Sequence, residues 1–130
     1  MKLVFDTNIF ISAIVIPHSQ AEKAILKIIN CDDSLIISKV IIDEVLSVLS
    51  RKFQYDREAV SHVAFYLSEL AKVVNPTRKI KILNDEPDNR ILECSQCGKA
   101  DAIVTGDKKM LNLKEFDGIN IISLKEYLDI

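Results

Sequence analysis

The sequence contains few of the residues on which several common classes of protein depend. Among 130 residues there are three glycines, three prolines and no tryptophan. So few glycines exclude a glycine-rich loop that wraps phosphate groups. No apolar run approaches the roughly 20 residues that a helix needs to cross a bilayer, so we expect no membrane segment. The opening, MKLVFD, reaches an acidic residue too early for a secretory signal, which predicts a cytoplasmic protein.

The sequence also lacks a large net charge and an obvious set of disulfide partners. The formal net charge is -2, so contact with RNA or DNA would need a local basic patch such as Arg51–Lys52 or Lys108–Lys109. Three cysteines fit a reducing compartment better than a disulfide scaffold. Cys94 and Cys97 have the spacing of a redox or zinc half-site. No further ligands stand at a recognisable spacing, and we interpret both as ordinary helix residues.

The apolar pattern predicts alternating strands and helices. Runs typical of strands buried on both faces occupy residues 2–5, 35–37, 102–104 and 119–122. Helical spacing and caps predict helices at 8–16, 19–30, 38–50, 56–71, 88–98 and 107–111, and a last helix from Ser123, whereas 80–83 fits a short strand or an extended segment. Capping boxes begin at Ser19 and Ser123, and Gly98 is a candidate left-handed helix terminator. We predict one α/β domain, residues 1–130, with a mostly parallel sheet of about four or five strands and helices on both faces.

Four carboxylates occupy places that this fold would bring together. Asp6 ends the first apolar run, Glu44 lies about one turn into the helix after the second, Asp88 opens a helix, and Asp107 follows the run at 102–104. The carboxyl ends of parallel strands share one edge, where open α/β sheets bind their ligands. Clustered carboxylates repel one another, and their hard oxygens suit Mg2+ or Mn2+. The pattern predicts metal-dependent cleavage of a phosphodiester, although each acid alone could be a helix cap or an exposed helix residue.

Neutral oxygens stand near the same junctions. Asn8, Thr105 and Ser38 could orient carboxylates or waters there. The two histidines, His18 and His62, lie outside the acidic junctions, so no Ser–His–acid or Cys–His arrangement competes for the chemistry.

Five blocks of the sequence resemble those of PIN-domain proteins. The opening MKLVFDTNIFISA is similar to the family's apolar strand that ends in Asp-Thr-Asn, and ISKVIIDEVLSVLSR places Glu44 at the acidic position of the second block. DNRILEC, which begins at Asp88, matches the third block. ADAIVTGD, which ends at Asp107, matches the fourth block, and GINIIS matches the last strand. The resemblance covers essentially the whole chain. It is nearest to the toxin components of toxin–antitoxin systems, related to VapC.

This resemblance implies a PIN-like three-layer fold and a Mg2+- or Mn2+-dependent ribonuclease that an antitoxin protein restrains. It assigns metal binding and catalysis to Asp6, Glu44, Asp88 and Asp107. The branch usually reads Asp-Pro-x-Asp-Asn before the third helix, whereas this chain reads DEPDN, which leaves Asp85 as an alternative to Asp88. Asp101 is also acidic, but it precedes a strand and should lie at the opposite edge of the sheet.

Two other functions stay open at this point. A phosphatase of the haloacid-dehalogenase type also begins with a strand that ends in Asp, but it needs a second Asp two positions later, where this chain has Asn8. A non-catalytic PIN fold that binds RNA or protein is the other alternative, although such members usually lose acids that are present here. We also predict a homodimer, because the helix at 56–71 spreads apolar residues such as Phe65 and Tyr66 over more than one face.

Overall fold

Six strands form one sheet in the computed structural model, which describes residues 1–130. The strands are β1 (Lys2–Phe5), β2 (Ser34–Ser38), β3 (Lys72–Val74), β4 (Ala102–Val104), β5 (Glu115–Phe116) and β6 (Ile119–Ile122). Their spatial order is β3-β2-β1-β4-β6-β5, and every neighbouring pair is parallel except β5 with β6. The predicted mostly parallel α/β sheet is confirmed, with six strands instead of four or five.

Seven helices connect and cover these strands. They are α1 (Thr7–Val15), α2 (Gln20–Asn30), α3 (Lys39–Phe53), α4 (Arg57–Leu70), α5 (Glu86–Cys97), α6 (Lys108–Leu113) and α7 (Leu124–Leu128). Leu3–Phe5, Leu35–Ile37 and Ala102–Val104 are buried without alternation, because both faces of the central strands are covered. One cluster of 31 buried apolar residues forms the core. None of the helices is both long enough and apolar enough to cross a membrane.

Short polar side chains begin most of the helices. Each of the following accepts a backbone N–H from the first turn of its helix: Asp6, Ser19, Ser38, Asp56, Asp107 and Ser123. The capping box predicted at Ser123 is confirmed, with Glu126 completing the reciprocal pair. At Ser19 only half of the box forms, because the Glu22 carboxylate accepts the N–H of His18 instead.

The prediction that Asp88 caps its helix is wrong by three residues. Helix α5 begins at Glu86, after the N-cap residue Asp85, and Asp88 is its third residue. Pro87 is the second residue, a position where the missing N–H of proline costs nothing because first-turn N–H groups have no partner within the helix. Asp88 therefore enters the site from the first turn of α5 and not from its cap.

The prediction that Gly98 ends α5 in a left-handed conformation is also wrong. Its φ is -84°, and the positive φ of 53° belongs to Lys99. Glycine is needed at 98 because a Cβ there would lie 2.7 Å from the Ile36 side chain. The small residue allows the end of α5 to pack closely against β2.

Candidate active site

Two of the predicted acids are joined through one hydroxyl at the carboxyl edge of the sheet. Asp6 follows β1 and is 5% exposed, and its carboxylate accepts a 2.7 Å hydrogen bond from Thr105 Oγ1. The same hydroxyl accepts the backbone N–H of Asp107 at 3.0 Å. Thr105 follows β4, which pairs directly with β1, so two neighbouring strand ends set the positions of both acids.

Asp88 faces the same cluster from the first turn of α5. It is 7% exposed, and burial, a hydrogen bond with the Asp107 carboxyl and the charges of Asp107, Asp85 and Asp6 raise the pKa of Asp88 to about 7. Burial also raises the pKa of Asp6, against the lowering effect of the Thr105 hydrogen bond, and the Asp107 charge adds to the rise. The cluster therefore holds more negative charge than its surroundings offset near neutral pH.

Glu44 lies beside this cluster and makes no hydrogen bond to the other three acids. It is half-buried in α3 and lines a cavity of about 170 Å³ together with Thr7 and Arg90. Thr7 directly follows Asp6, so the cavity adjoins the cluster. No three Asp, Glu, His or Cys side chains stand close enough together to form a ready-made ion-binding group.

Only part of the predicted supporting polar set touches the acids. Asn8 gives Asp6 a backbone N–H at 3.4 Å, while its own side chain is exposed. Ser38 is 2% exposed, and its hydroxyl accepts the N–H of Ile41 and contacts the Cys94 thiol, whose pKa burial raises to about 12. Ser38 therefore caps α3 and does not orient a carboxylate, in contrast to the expectation. Thr105 is the residue that does so.

The two further acids considered from the sequence lie outside the cluster. Asp101 is at the opposite edge, as predicted, where it accepts the N–H of Lys2 at 2.7 Å beside the start of β1. Asp85 is exposed, makes no side-chain cap hydrogen bond and acts on Asp88 only through its charge. The geometry therefore favours Asp88 over Asp85 as the acid supplied by α5.

A buried amide behind Asp88 was not predicted from the sequence. The Asn89 side chain is 1% exposed; it accepts the N–H groups of Ile82 and Leu83 at 3.2 and 2.9 Å and donates to the Leu83 carbonyl at 2.8 Å. It thereby holds the chain that leads into α5. The sequence signal for this role was an amide next to an acid on the inner side of a helix. A buried amide requires hydrogen-bond partners, so such a position indicates a structural contact.

The donor set of the cluster fits a hard divalent cation. The cluster offers three carboxylates, Asp6, Asp88 and Asp107, and the Thr105 hydroxyl, which bonds the Asp6 carboxylate and the backbone N–H of Asp107. Such oxygen ligands suit Mg2+ or Mn2+ better than the softer ions that select thiolate or imidazole. The raised pKa of Asp88 also indicates a place where added positive charge is favourable.

Known proteins share both the sequence pattern and this architecture. A family model described as the PIN domain matches residues 2–109, a range that contains all four acids. The chain belongs to the PIN-domain family. A relative from Methanocaldococcus jannaschii, "Uncharacterized protein MJ1680", is 29% identical over 133 residues, which cover 96% of this chain and 84% of the relative.

Two solved structures have a similar fold. One is VapBC2 from Rickettsia felis bound to a DNA fragment from the promoter, with a TM-score of 0.67 at 16% identity over 95% of this chain and 98% of that one. The other is VapBC-1 from nontypeable Haemophilus influenzae, with a TM-score of 0.67 at 17% identity over 96% and 99%. At such identities the likeness concerns the fold, and it confirms the three-layer PIN architecture around this edge of the sheet.

Proposed function

We propose that this PIN-domain protein acts as one domain, residues 1–130, that hydrolyses RNA phosphodiesters with Mg2+ or Mn2+ held by Asp6, Glu44, Asp88 and Asp107. The observation that carries the proposal is the Thr105 hydroxyl that joins Asp6 to Asp107 beside the buried Asp88. Buried acids with raised pKa values in a cleft are more common at functional sites than elsewhere. A bound divalent ion supplies a water of lowered pKa and offsets charge on the phosphate.

The chain's own residues prepare the site for this chemistry. Thr105 fixes the direction of the Asp6 carboxylate through a short hydrogen bond. With a pKa of about 7, Asp88 is only partly ionised near neutral pH, so a cation held there would compete with a proton. Glu44 offers a further carboxylate from the adjoining cavity.

The test is cleavage of single-stranded and structured RNAs in Mn2+. We expect Asp6→Asn to reduce the rate by at least about 100-fold, since catalytic metal ions supply several kcal/mol of transition-state stabilisation. Asp101→Asn removes the same charge at the opposite edge and should cleave like the wild type. Circular dichroism reports whether each variant folds. Full activity in a folded Asp6→Asn protein excludes the assigned site, and wild-type binding without cleavage supports the non-catalytic RNA-binding alternative.

We further propose that α4 contacts a protein partner, either an antitoxin or a second copy of this chain. Phe65 is 68% and Tyr66 44% exposed, and Tyr66 lines an apolar groove of about 300 Å³ with Phe10, Ile14 and Leu26. An apolar surface of this kind marks an interaction site more often than a free surface. Co-expression with a small protein encoded beside this chain should lower RNA cleavage if that protein is an antitoxin.

A further inference from the structure

A basic segment lies along α5 and ends beside the first turn of that helix, which carries Asp88. This segment, residues 78–83 and here called the basic strap, forms neither helix nor strand. The N–H of Ile80 donates to the buried Glu93 carboxylate at 2.9 Å, and the N–H groups of Ile82 and Leu83 donate to Asn89. These bonds fix the backbone of the strap against the face of α5 that carries Asn89 and Glu93.

The charges of the basic strap have no partners within the protein. Arg78, Lys79 and Lys81 are exposed, and none of them takes part in an ion pair. The Glu93 carboxylate below them is already bonded to the Arg90 guanidinium at 3.0 Å as well as to the strap backbone. Three positive charges within four residues therefore point to solvent on a chain whose net charge is -2.

The position of the basic strap connects it with the acids. The strap runs antiparallel to α5, because Leu83 bonds Asn89, next to Asp88, while Ile80 bonds Glu93 one turn further along the helix. At a rise of about 1.5 Å per residue, the eight helical steps from Asp88 to Gln96 span about 12 Å. The strap therefore forms a path along α5 whose last residues lie beside the turn that carries Asp88, while its three cations lie toward Gln96, a few nucleotides of RNA away from the acidic cluster.

An aromatic ring stands at the far end of this path. Arg78, Lys79 and Lys81 line a cavity of about 410 Å³ with the half-buried Phe116 and with Asp117. The Asp117 carboxylate accepts a hydrogen bond from the Gln96 amide at 3.1 Å, which holds it at one side of this cavity. Cations beside an aromatic ring are the combination with which proteins bind the phosphates and unpaired bases of single strands.

We propose that the basic strap binds the phosphate backbone of single-stranded RNA and delivers it to the acidic cluster, with Phe116 stacking on an unpaired base. This proposal rests on the proposed ribonuclease function and adds a binding surface to it. Acidic residues that bind a cation repel the rest of a polyanionic substrate, so positive charge beside them is required to hold it. Arg78, Lys79 and Lys81 supply that charge.

The experiment measures binding of a fluorescent single-stranded RNA about 12 nucleotides long by anisotropy, at several salt concentrations. All proteins carry Asp6→Asn, so that cleavage does not interfere. One carries Arg78→Ala/Lys79→Ala/Lys81→Ala. A control carries Lys23→Ala/Lys72→Ala/Lys125→Ala, which removes three exposed lysines that are outside every ion pair.

We expect the strap variant to raise Kd at least about 10-fold and to lower the slope of log affinity against log salt by about 2, at roughly 0.7 per phosphate contact of a single strand. The control should change the slope by less than 1. Without Asp6→Asn, the strap variant should raise KM and keep kcat, since its charges act on binding and not on the reacting bond. Unchanged melting temperatures exclude misfolding as the cause.

Equal effects of the strap and control variants overturn the proposal, and equal wild-type affinity for a duplex of the same sequence overturns the single-stranded assignment. If the wild type cleaves RNA while the strap variant keeps its Kd and salt slope, the strap proposal fails and the ribonuclease function stands. If strap-dependent binding occurs without any cleavage, the strap proposal stands and the ribonuclease function fails. A protein that neither binds nor cleaves RNA overturns both.

Discussion

Replacing Asp88 by asparagine tests the electrostatics of the acidic cluster without RNA or metal. The ordinary pKa of this carboxyl is 3.8, and burial, followed by the hydrogen bond and charge of Asp107, raises it to about 7. Because the folded-state pKa lies above the unfolded value, the group contributes its full stability below about pH 3.8 and loses it as the pH rises through about 7. The amide of asparagine does not ionise, so the Asp88→Asn protein lacks this loss.

The size of the effect follows from the pKa. Each pKa unit corresponds to about 1.4 kcal/mol of free energy, so the full rise from 3.8 to about 7 corresponds to roughly 4 kcal/mol. The wild type loses this stability over the pH range between the two pKa values, and about two pH units of that range lie above pH 5. The loss between pH 5 and pH 8 is therefore at most about 2.7 kcal/mol. Water reaches the cluster and weakens these interactions, so we expect about 1–2 kcal/mol.

Urea unfolding in EDTA at pH 5 and pH 8 measures this difference directly. The free energy of unfolding of Asp88→Asn, relative to that of the wild type, should be higher at pH 8 than at pH 5. Asp101→Asn changes the net charge equally at the opposite edge and corrects for general charge effects. A difference between Asp88→Asn and wild type that is the same at both pH values would refute the raised pKa of Asp88.

Three further predictions concern the metal, the chain before α5 and the helix α4. Mg2+ or Mn2+ should raise the melting temperature and EDTA should reverse this, because an ion that binds only the folded chain stabilises it; a response lost in Cys94→Ser/Cys97→Ser would indicate a thiolate site instead. Asn89→Ala should lower the free energy of unfolding by about 2–3 kcal/mol, because it leaves backbone N–H groups unpaired. Asn84 is exposed, and a cost for Asn89→Ala no larger than that for Asn84→Ala would contradict this prediction. Phe65→Glu should lower the mass measured by light scattering if α4 forms a dimer, and a wild-type mass near 14.7 kDa excludes the dimer.

The elements that could be predicted are those whose signals are local. β1, β2, β4 and β6 are apolar runs, and Ser38, Asp56 and Ser123 begin helices because their oxygens bond N–H groups three residues away. β3 and β5 gave no such signal. Lys72–Val74 is mostly exposed at one edge of the sheet, and β5 has two residues, so the partner strand and not the local sequence makes them strands.

The candidate site could be predicted as far as strand ends determine it. Asp6 and Asp107 follow paired parallel strands, and their common edge follows from the topology alone. The distance of Glu44 from the other acids depends on how α3 packs, which no local pattern encodes. The same limit explains Ser38, whose hydroxyl turned to its own helix, and Asn89, whose partners lie in a segment without regular structure.

Asp88 shows how the size of competing effects separates a helix cap from a ligand. It lies in the first turn of α5, where the helix dipole favours a carboxylate by about 0.3–1 kcal/mol and by at most about 2 kcal/mol. That effect alone would lower the pKa, yet burial and the neighbouring acids raise it to about 7. The opposing contributions must therefore exceed the dipole effect. An acid that serves helix stability would lie where its charge is favoured, whereas Asp88 lies where its charge is disfavoured, an environment that a bound cation would relieve.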